Sequence, residues 1–333
     1  MAANKKYKNT QINMKLFSTQ VKQRKNTGIP TISIGIPAYN EEQNIINLLN
    51  LLLQQEAKTY HLQSILVISD GSSDATEKKV HLFSKEHPEV VLFADHRRKG
   101  KNIRLNELYK KNKSDILIIL DADSIFKNHD ALDLLIAPFA DQEVVFTSVN
   151  KIPVKQKDFP GLLFYWWDEL FHDAYASYNK GQNIYNFTSS GYAIRKDFSK
   201  TVKHKLHLIS SGLFIYFTAL RQQKKVVFVP EAVLLTRLPA TVHEYRLLLS
   251  RTMKQKQYFV KYFGKWILPY YYIPKNYIRK HTVMYCIHHP LQSVITIIFH
   301  LILFQFPYNE EQNIKKGIWE TLTSSKKAII LNQ

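Results

Sequence analysis

Short apolar runs alternate with helical segments between residues 31 and 149, and this alternation limits the fold more than any other feature of the chain. Runs rich in β-branched residues indicate buried strands at residues 31–37, 64–69, 90–94, 116–120 and 144–149. Helices are predicted between them at residues 41–55, from residue 74, and at residues 101–111. Strands and helices at this spacing predict an α/β domain with a mostly parallel sheet flanked by helices.

The first two of these helices carry start signals. Asn40 is predicted to cap the first, with acidic residues in its first turn and Gln43 at the capping-box position. Asp74, with Glu77 three residues later, is predicted to open the second. Both helices are therefore expected to begin close to a strand end.

Polar clusters follow the strands, and right-handed crossovers bring such turns to one edge of a sheet. The clusters are residues 37–42, 70–74, 97–102 and 121–123. Asp121 and Asp123 lie on one side of the chain with the small Ala122 between them, which suits a divalent cation that also binds phosphate. Asp70 suits a base or a ribose, and the cations of residues 97–102 suit a diphosphate. We expect a ligand crevice where these turns meet.

The charge of the chain favours polyanionic partners. Its 46 Lys and Arg against 27 Asp and Glu give a formal charge of +19, which suits nucleic acid, an acidic membrane face or phosphorylated substrates. Nucleic acid is the least supported of these, because the basic residues are spread along the chain without a recognised module. The single cysteine, Cys286, excludes an intrachain disulfide and gives no sign of a zinc cluster. No signal peptide is recognised, so the chain is expected to begin in the cytoplasm.

The later half has a different character. Residues 162–178 are rich in aromatics and are predicted to form a helix that covers the site. Residues 189–195 are typical of a turn and a short strand, residues 226–229 of a strand that ends at Pro230, and residues 241–263 of a basic helix. The apolar stretch at residues 288–306 is borderline for a membrane span, which needs about 20 apolar residues. A buried core helix, a single span, a re-entrant segment and an in-plane helix all remain open.

The strand-end clusters together resemble the family 2 glycosyltransferases of the GT-A fold. The resemblance rests on residues 37–41 and 70–74, on Gly100-Lys101 with Leu105-Asn106, and on residues 121–123 and 190–191, in this order. It implies binding of a nucleotide-diphosphate sugar and transfer of the sugar to an acceptor hydroxyl. The residues it assigns to the donor are Pro37, Ala38, Tyr39, Glu41, Asp70, Lys101, Asp121 and Ala122. It assigns Mg²⁺ or Mn²⁺ to Asp123, and the acceptor side to Ser190 and Gly191.

Composition, patterning and the resemblance together predict a division into four regions. We predict a flexible basic arm at residues 1–28, a GT-A catalytic domain at 29–235, a basic helical and interfacial region at 236–280, and an apolar membrane-associated helix and tail at 281–333. Arg104 departs from the family, which usually has a small residue there, so its helix is expected to pack differently.

The sequence departs further from the family pattern on the acceptor side, where the general base is expected. As the glycosidic bond breaks, charge grows on the leaving nucleotide, and the acceptor hydroxyl must lose its proton to a general base. In the family an acidic pair supplies this base, and its place falls at about Ser211 and Gly212. Residues 199–225 contain no Asp or Glu. The Gln-x-x-Arg-Trp signature of processive members is also missing at residues 250–254, which argues against a polymerase.

Two explanations for the missing acid follow. Either the base is relocated, with Asp168, Glu169, Asp173 and His207 as candidates, or the protein binds a donor without transferring it. The leading hypothesis is a non-processive, inverting glycosyltransferase on the cytoplasmic side of a membrane, with a sugar or a lipid-linked acceptor. The alternative is a donor-binding pseudoenzyme that acts as an assembly partner. A nucleotidylyltransferase is less well supported, because the first βα turn lacks a Gly-rich phosphate loop.

Overall fold

The structure is a computed structural model that describes residues 28–205, 208–305 and 322–329. These residues form one sheet of eight strands in the order β3-β2-β1-β4-β7-β6-β8-β5. The strands are β1 Thr31–Ala38, β2 His61–Ser69, β3 Val90–Phe93, β4 Ile116–Ile119, β5 Ile125–Phe126, β6 Val144–Pro153, β7 Tyr192–Arg195 and β8 Lys225–Thr236.

Four strands form the parallel half of the sheet, as predicted. Strand β1 pairs in parallel with β2 and with β4, so that Ile34 lies beside both Ile65 and Ile118. Strand β3 extends this half beyond β2. Both faces of these strands are covered, which explains why their sequences are continuous apolar runs. The predicted α/β architecture is confirmed.

The other half of the sheet is mixed. Strand β7 runs antiparallel between β4 and β6, β8 runs parallel to β6, and the short β5 runs antiparallel to β8. The prediction that the last strand ends at Pro230 is wrong. The register jumps from Val149 beside Val229 to Asn150 beside Val233. This irregularity carries the strand past Pro230, which has no N–H to donate to the ladder.

Ten α-helices lie in the described ranges. They are α1 Ile45–Leu53, α2 Thr76–Glu86, α3 Lys101–Lys111, α4 Ala131–Ile136, α5 Gly161–Ser177, α6 Lys196–Thr201, α7 Ser211–Arg221, α8 Val242–Phe263, α9 Lys275–His288 and α10 Pro290–Gln305. Helix α3 has the predicted bounds. Helix α8 begins at the predicted place because the Thr241 hydroxyl accepts a hydrogen bond from the Glu244 N–H at 3.2 Å.

The predicted start of the first helix is wrong. Helix α1 begins at Ile45, and Asn40 has a left-handed backbone with φ of 52°. Its side-chain oxygen accepts a hydrogen bond from the Ser73 N–H at 2.9 Å. Asparagine suits both a helix cap and a left-handed turn, so the sequence pattern does not separate the two. Here Asn40 joins the first two βα loops instead of capping a helix.

Two hydrophobic clusters fill the two sides of the sheet. On one side Ile34 of β1 belongs to a cluster with Leu48 of α1 and Leu132 of α4. On the other side Leu108 of α3 belongs to a second cluster with helices α7 and α8. A Cβ at Gly35 would lie 2.9 Å from Ile119 and 3.0 Å from Leu108, so glycine lets α3 approach the sheet closely. This packing places the start of α3 at the carboxyl edge of the parallel strands.

The carboxyl-terminal helices form a layer beside the sheet. Helix α5 packs against α9 and α10. No helix in the part of the chain that the structure describes is both long and apolar enough to cross a membrane. Residues 322–329 then lie against α1, where the Asn44 side-chain amide donates to the Lys326 carbonyl at 2.6 Å. The tail thus returns to the edge of the sheet where the polar turns meet.

Candidate active site

A cavity of about 850 Å³ lies at the carboxyl ends of the parallel strands. Every residue that the sequence assigns to the donor and the metal lines it: Pro37, Ala38, Tyr39, Glu41, Asp70, Lys101, Asp121, Ala122 and Asp123. These residues come from turns that lie up to 86 positions apart in sequence. The sheet topology therefore brings the predicted clusters together.

Hydrogen bonds between the first two turns hold this edge in shape. The Glu41 N–H donates to the Thr76 hydroxyl at 2.8 Å, and the Ala75 N–H donates to the Glu42 carboxylate at 3.0 Å. The Asp70 N–H donates to the Ala38 carbonyl at 2.7 Å. These hydrogen bonds fix the positions of the two turns that the sequence assigns to the nucleoside.

Arg104 accounts for the departure noted in the sequence. Its side chain is only 2% exposed, and its Nε donates to Asp70 Oδ1 at 2.9 Å. The same guanidinium donates to Asp95 at 2.7 Å and to Glu107 at 2.9 Å. It lowers the pKa of Asp95, which shows how strongly it favours the ionised carboxylate. A small residue here would leave three acids without this partner.

Asp70 joins three parts of the site. Besides Arg104 it accepts hydrogen bonds from the Lys99 N–H at 2.8 Å and the Gly100 N–H at 3.0 Å. The neighbouring Gly71 has φ of 72°, and a Cβ there would lie 2.8 Å from the Arg97 carbonyl carbon. Glycine is required by both the backbone angle and the close approach. The second turn is thereby fixed against the start of α3.

Asp121 is held from two sides. Its carboxylate forms an ion pair with Lys101, and its N–H donates to the Ser190 hydroxyl at 2.8 Å. Ser190 and Gly191 are not among the cavity-lining residues. Gly191 has φ of 70°, and a Cβ there would meet Val149 at 2.4 Å. In this structure Ser190 supports Asp121 from behind, the Gly191 N–H donates to the Ile119 carbonyl at 2.9 Å, and Ser189 is the neighbour that lines the cavity.

Asp123 has no such partner. No described residue forms a hydrogen bond or an ion pair with its carboxylate, and burial together with the charge of Asp121 raises its pKa. The described ranges contain no cluster of three or more His, Cys, Asp or Glu that could enclose a metal. A cation that takes one or two carboxylates and completes its coordination with substrate phosphates fits this arrangement. Asp123 is the residue that would hold it, with Asp121 beside it.

Lys326 is a cavity residue that the sequence patterns do not reveal. Its ammonium donates to the Tyr39 carbonyl and the Glu41 carboxylate. Burial and the charge of Asp123 raise the pKa of Glu41 to about 7, and Lys326 opposes this rise. The Arg98 guanidinium lies 3.8 Å from the centre of the Tyr39 ring. Lys326 is 285 positions from Glu41, so no local signal could indicate the contact.

The candidate bases do not line the cavity in the part of the chain that is described. Glu169 accepts hydrogen bonds from Tyr165 and from Tyr285, the latter at 3.1 Å, and Asp173 is exposed on α5. Burial raises the pKa of Asp168, and the charges of His172 and Lys151 oppose the rise. Of these two, Lys151 lines the cavity. His207 lies outside the described residues.

The place expected for the acidic pair, at about Ser211 and Gly212, lies at the start of α7. Ser210 caps α7 by accepting the Leu213 N–H at 3.4 Å, and its hydroxyl lies 3.1 Å from that of Ser189. A Cβ at Gly212 would lie 1.9 Å from the Thr188 carbonyl oxygen, so this turn is packed too tightly for a larger residue. The acids among the described lining residues are Glu41, Asp70, Asp121 and Asp123. All four are residues that the sequence assigns to the donor and the metal.

Comparison with known proteins places this geometry in a family. A family model described as Glycosyl transferase family 2 matches residues 33–202, or 170 of the 333 residues. The dolichyl-phosphate beta-glucosyltransferase of Drosophila melanogaster is 30% identical over 118 residues, which cover 33% of this chain and 36% of that protein. The match thus spans about a third of the relative's length.

Solved structures show the same fold. The mannosyltransferase PcManGT from Pyrobaculum calidifontis, in complex with GDP-Man and Mn²⁺, has a TM-score of 0.55 at 16% identity, covering 90% of this chain and 86% of that one. GalNAc-T7, with UDP, GalNAc and Mn²⁺, has a TM-score of 0.50 at 17% identity, covering 77% and 56%. The GT-A fold predicted from the sequence is therefore confirmed. The chain belongs to glycosyl transferase family 2.

Proposed function

We propose that the protein transfers a sugar from a nucleotide-diphosphate donor to an acceptor hydroxyl, in one non-processive step with inversion, on the cytoplasmic side of a membrane. The observation that carries the donor assignment is the convergence of all nine predicted donor and metal residues on one cavity. The relatives with bound GDP-Man or UDP support the same class of ligand.

The residues at the donor end suit the departure of a nucleoside diphosphate. Mg²⁺ or Mn²⁺ bound at Asp123 would stabilise the negative charge on the leaving group. Lys101, paired with Asp121, places a second positive charge at this end for the phosphates. Asp121 orients that lysine and is itself fixed through Ser190. Tyr39, Glu41 and Asp70 lie on the first two turns, where they can bind the nucleoside.

Thermal unfolding with a panel of UDP-, GDP-, ADP- and dTDP-sugars, with and without Mn²⁺, tests the donor assignment. At a hundredfold excess over Kd, one donor should raise Tm by about 4 °C or more. The rise should be larger with the metal. A chain that none of these donors stabilises under either condition would contradict the proposal.

We propose that one of four residues is the general base: Asp168, Glu169 or Asp173 of α5, or His207. Asp168 is the preferred candidate because burial raises its pKa, and because Lys151, one of the charges that oppose the rise, lines the cavity. Single substitutions D168N, E169Q, D173N and H207Q should identify the base by a loss of about 100-fold or more in transfer, with donor Kd unchanged. If all four variants retain full transfer, the relocated base is excluded.

A lipid-linked phosphate is a second candidate acceptor, and the cations of the cavity favour it. Arg251 and Lys256 of α8 line the cavity, and the described part of α8 contributes no carboxylate to that lining. A phosphate oxygen is already ionised at neutral pH, so its attack on the sugar needs no base. The named relative from Drosophila acts on a dolichyl phosphate. Transfer to farnesyl phosphate but not to farnesol would support this acceptor, and the reverse preference would exclude it.

The membrane assignment is supported by the unusual orientation of α10. Its buried positions include Ser293, Thr296 and His300, whereas Leu291 and Leu301 are 71% and 61% exposed. Polar groups face the protein, where the Thr296 hydroxyl donates to the Leu163 carbonyl at 2.9 Å. A helix that buries its polar side and exposes its apolar side suits contact with lipid.

Basic residues lie next to this apolar surface. Helix α9 carries Lys275, Arg279 and Lys280, and its later residues Met284 and Ile287 are exposed. Lysine and arginine beside exposed apolar residues favour a bilayer that contains anionic lipid. We therefore propose that α9 and α10 lie in the membrane interface.

A further inference from the structure

The segment at residues 322–329 is fastened across the nucleoside end of the cavity. Glu244, at the start of α8, accepts hydrogen bonds from the Thr323 hydroxyl at 3.0 Å and the Ser324 N–H at 3.1 Å. Farther along, Arg237 donates to the carbonyls of Lys327 and Ala328 at 2.9 and 3.0 Å. The segment is therefore held on both sides of Lys326.

These hydrogen bonds place the side chain of Lys326 in the cavity. Its side chain is 18% exposed, and its ammonium has three oxygen partners: the Tyr39 carbonyl, the Asn40 carbonyl at 3.3 Å and the Glu41 carboxylate. Three partners match the three N–H groups of an ammonium. All of them belong to the loop that follows β1, which carries the nucleoside residues.

The charges of the cavity show what the ammonium contributes. Asp70 is paired with Arg104 and Asp121 with Lys101, while Glu41 is paired with Lys326. Asp123 alone among the four acids of the described lining has no ion pair. Lys326 therefore supplies the positive charge beside Glu41 and, through the same ammonium, joins the Glu41 carboxylate to the carbonyls of Tyr39 and Asn40.

We propose that Lys326 is a positioning residue for the nucleoside, supplied by the carboxyl-terminal segment, which acts by holding Glu41 and the Tyr39 loop in their binding arrangement. The inference rests on the proposed donor binding and adds a residue outside the matched family region, which ends at residue 202. Because its partners lie at the nucleoside end, the effect of Lys326 should not depend on the metal.

Calorimetric titration with UDP, GDP, ADP, CDP and dTDP tests this role. With the nucleotide that binds the wild-type chain, K326A should raise Kd by about tenfold. K326R, which keeps the charge, should recover most of the affinity. Neighbouring Lys327 serves as the matched control because its side chain is exposed and does not line the donor cavity, so K327A should bind as the wild type does.

Two further measurements separate positioning from a general loss of structure. The loss of nucleotide affinity caused by K326A should be equal in Mn²⁺ and in EDTA. A loss of affinity caused by a defective metal site should disappear in EDTA. The E244Q substitution leaves the cavity lining unchanged but weakens the hydrogen bonds that hold residues 322–329. It should therefore raise Kd by a smaller factor than K326A does.

The outcomes are distinguishable. Unchanged or tighter nucleotide binding by K326A, or a loss seen only with Mn²⁺, would overturn the role of Lys326 while leaving the donor assignment intact. A wild-type chain that binds none of the five nucleotides would overturn both.

Discussion

The Nε of Arg104 lies 2.9 Å from Oδ1 of Asp70, and this ion pair joins α3 to the turn after β2 beneath the donor cavity. The guanidinium is buried and binds two further acids, Asp95 and Glu107. The residue that departs from the family pattern thus acts as a support for the site.

Replacing Arg104 should damage both stability and donor binding. R104A leaves the buried Asp70 carboxylate without its cation, and the loss of one partner of a buried pair costs about 3 kcal/mol or more. R104K keeps the charge but cannot bridge three acids, so its loss should be intermediate. Urea unfolding measures the change. K58A, which breaks an exposed pair with Glu56, is the control, and a loss no larger in R104A than in this control would contradict the account.

The turn at Gly71 should not tolerate a side chain. In G71A the methyl group would have to fit 2.8 Å from the Arg97 carbonyl carbon at a φ of 72°, which should cost about 1–3 kcal/mol. The shift of the turn should also weaken nucleotide binding. G28A is the matched control, since nothing lies within 4 Å of a Cβ at Gly28. Equal unfolding midpoints for the two variants would show that the turn is not constrained.

These two residues also show how far the sequence predicts the site. The strand ends and their polar clusters are local patterns, so the donor residues from Pro37 to Asp123 could be placed on one edge of the sheet. Arg104 was recognised as unusual, but its partners were not, because Asp70 and Asp95 reach it only through the fold. The position of Lys326 in the cavity and the orientation of α10 depend on contacts between segments that are distant in sequence. No periodic pattern in the sequence therefore indicates them.

The prediction that residues 162–178 form a helix was confirmed by α5, but the prediction that this helix covers the site was not, because no residue of α5 is among the described residues that line the cavity. The Glu169 carboxylate of α5 accepts hydrogen bonds from the hydroxyl groups of Tyr165 and Tyr285. Tyr285 belongs to α9, whose packing on α5 could not be read from the sequence. The same limit explains the register jump between β6 and β8, where an irregularity in the pairing carries the strand past Pro230.

Stability should fall on acidification because of buried histidine. Burial lowers the pKa of His204 to about 3, and its Nε2 lies 2.9 Å from the Tyr109 hydroxyl. Below its ordinary pKa of 6.5 the unfolded chain takes up a proton that the folded chain refuses, so stability is lost as pH falls from 6.5 towards 3. The slope from this residue should approach 1.4 kcal/mol per pH unit.

Urea unfolding between pH 7.5 and 4.5 measures this slope. H204Q should be less stable at pH 7.5 but should lose less stability on acidification. His61 is exposed, so H61Q should keep the wild-type slope. A slope in H204Q as steep as in the wild type would assign the acid sensitivity to other groups.

The apolar face of α10 should govern binding to membranes. Vesicles of phosphatidylglycerol and phosphatidylcholine should carry the wild-type protein upward in a flotation gradient, and added salt should weaken the effect. The double variant L291S/L301S should reduce the bound fraction severalfold without lowering Tm. Leu82 of α2 is 51% exposed on a different helix, so L82S is the control. Full flotation of the double variant would contradict the membrane assignment.

The central claim is that Asp123 holds a divalent cation together with a nucleotide diphosphate, and calorimetric titration of D123N tests it most directly. With the nucleotide that binds the wild-type chain, Mn²⁺ should strengthen binding by tenfold or more, and D123N should abolish this gain while keeping the metal-free affinity. D197N, in which a carboxylate of α6 outside the cavity lining is neutralised, should keep the gain. A D123N variant that still shows the full Mn²⁺ enhancement would contradict the account.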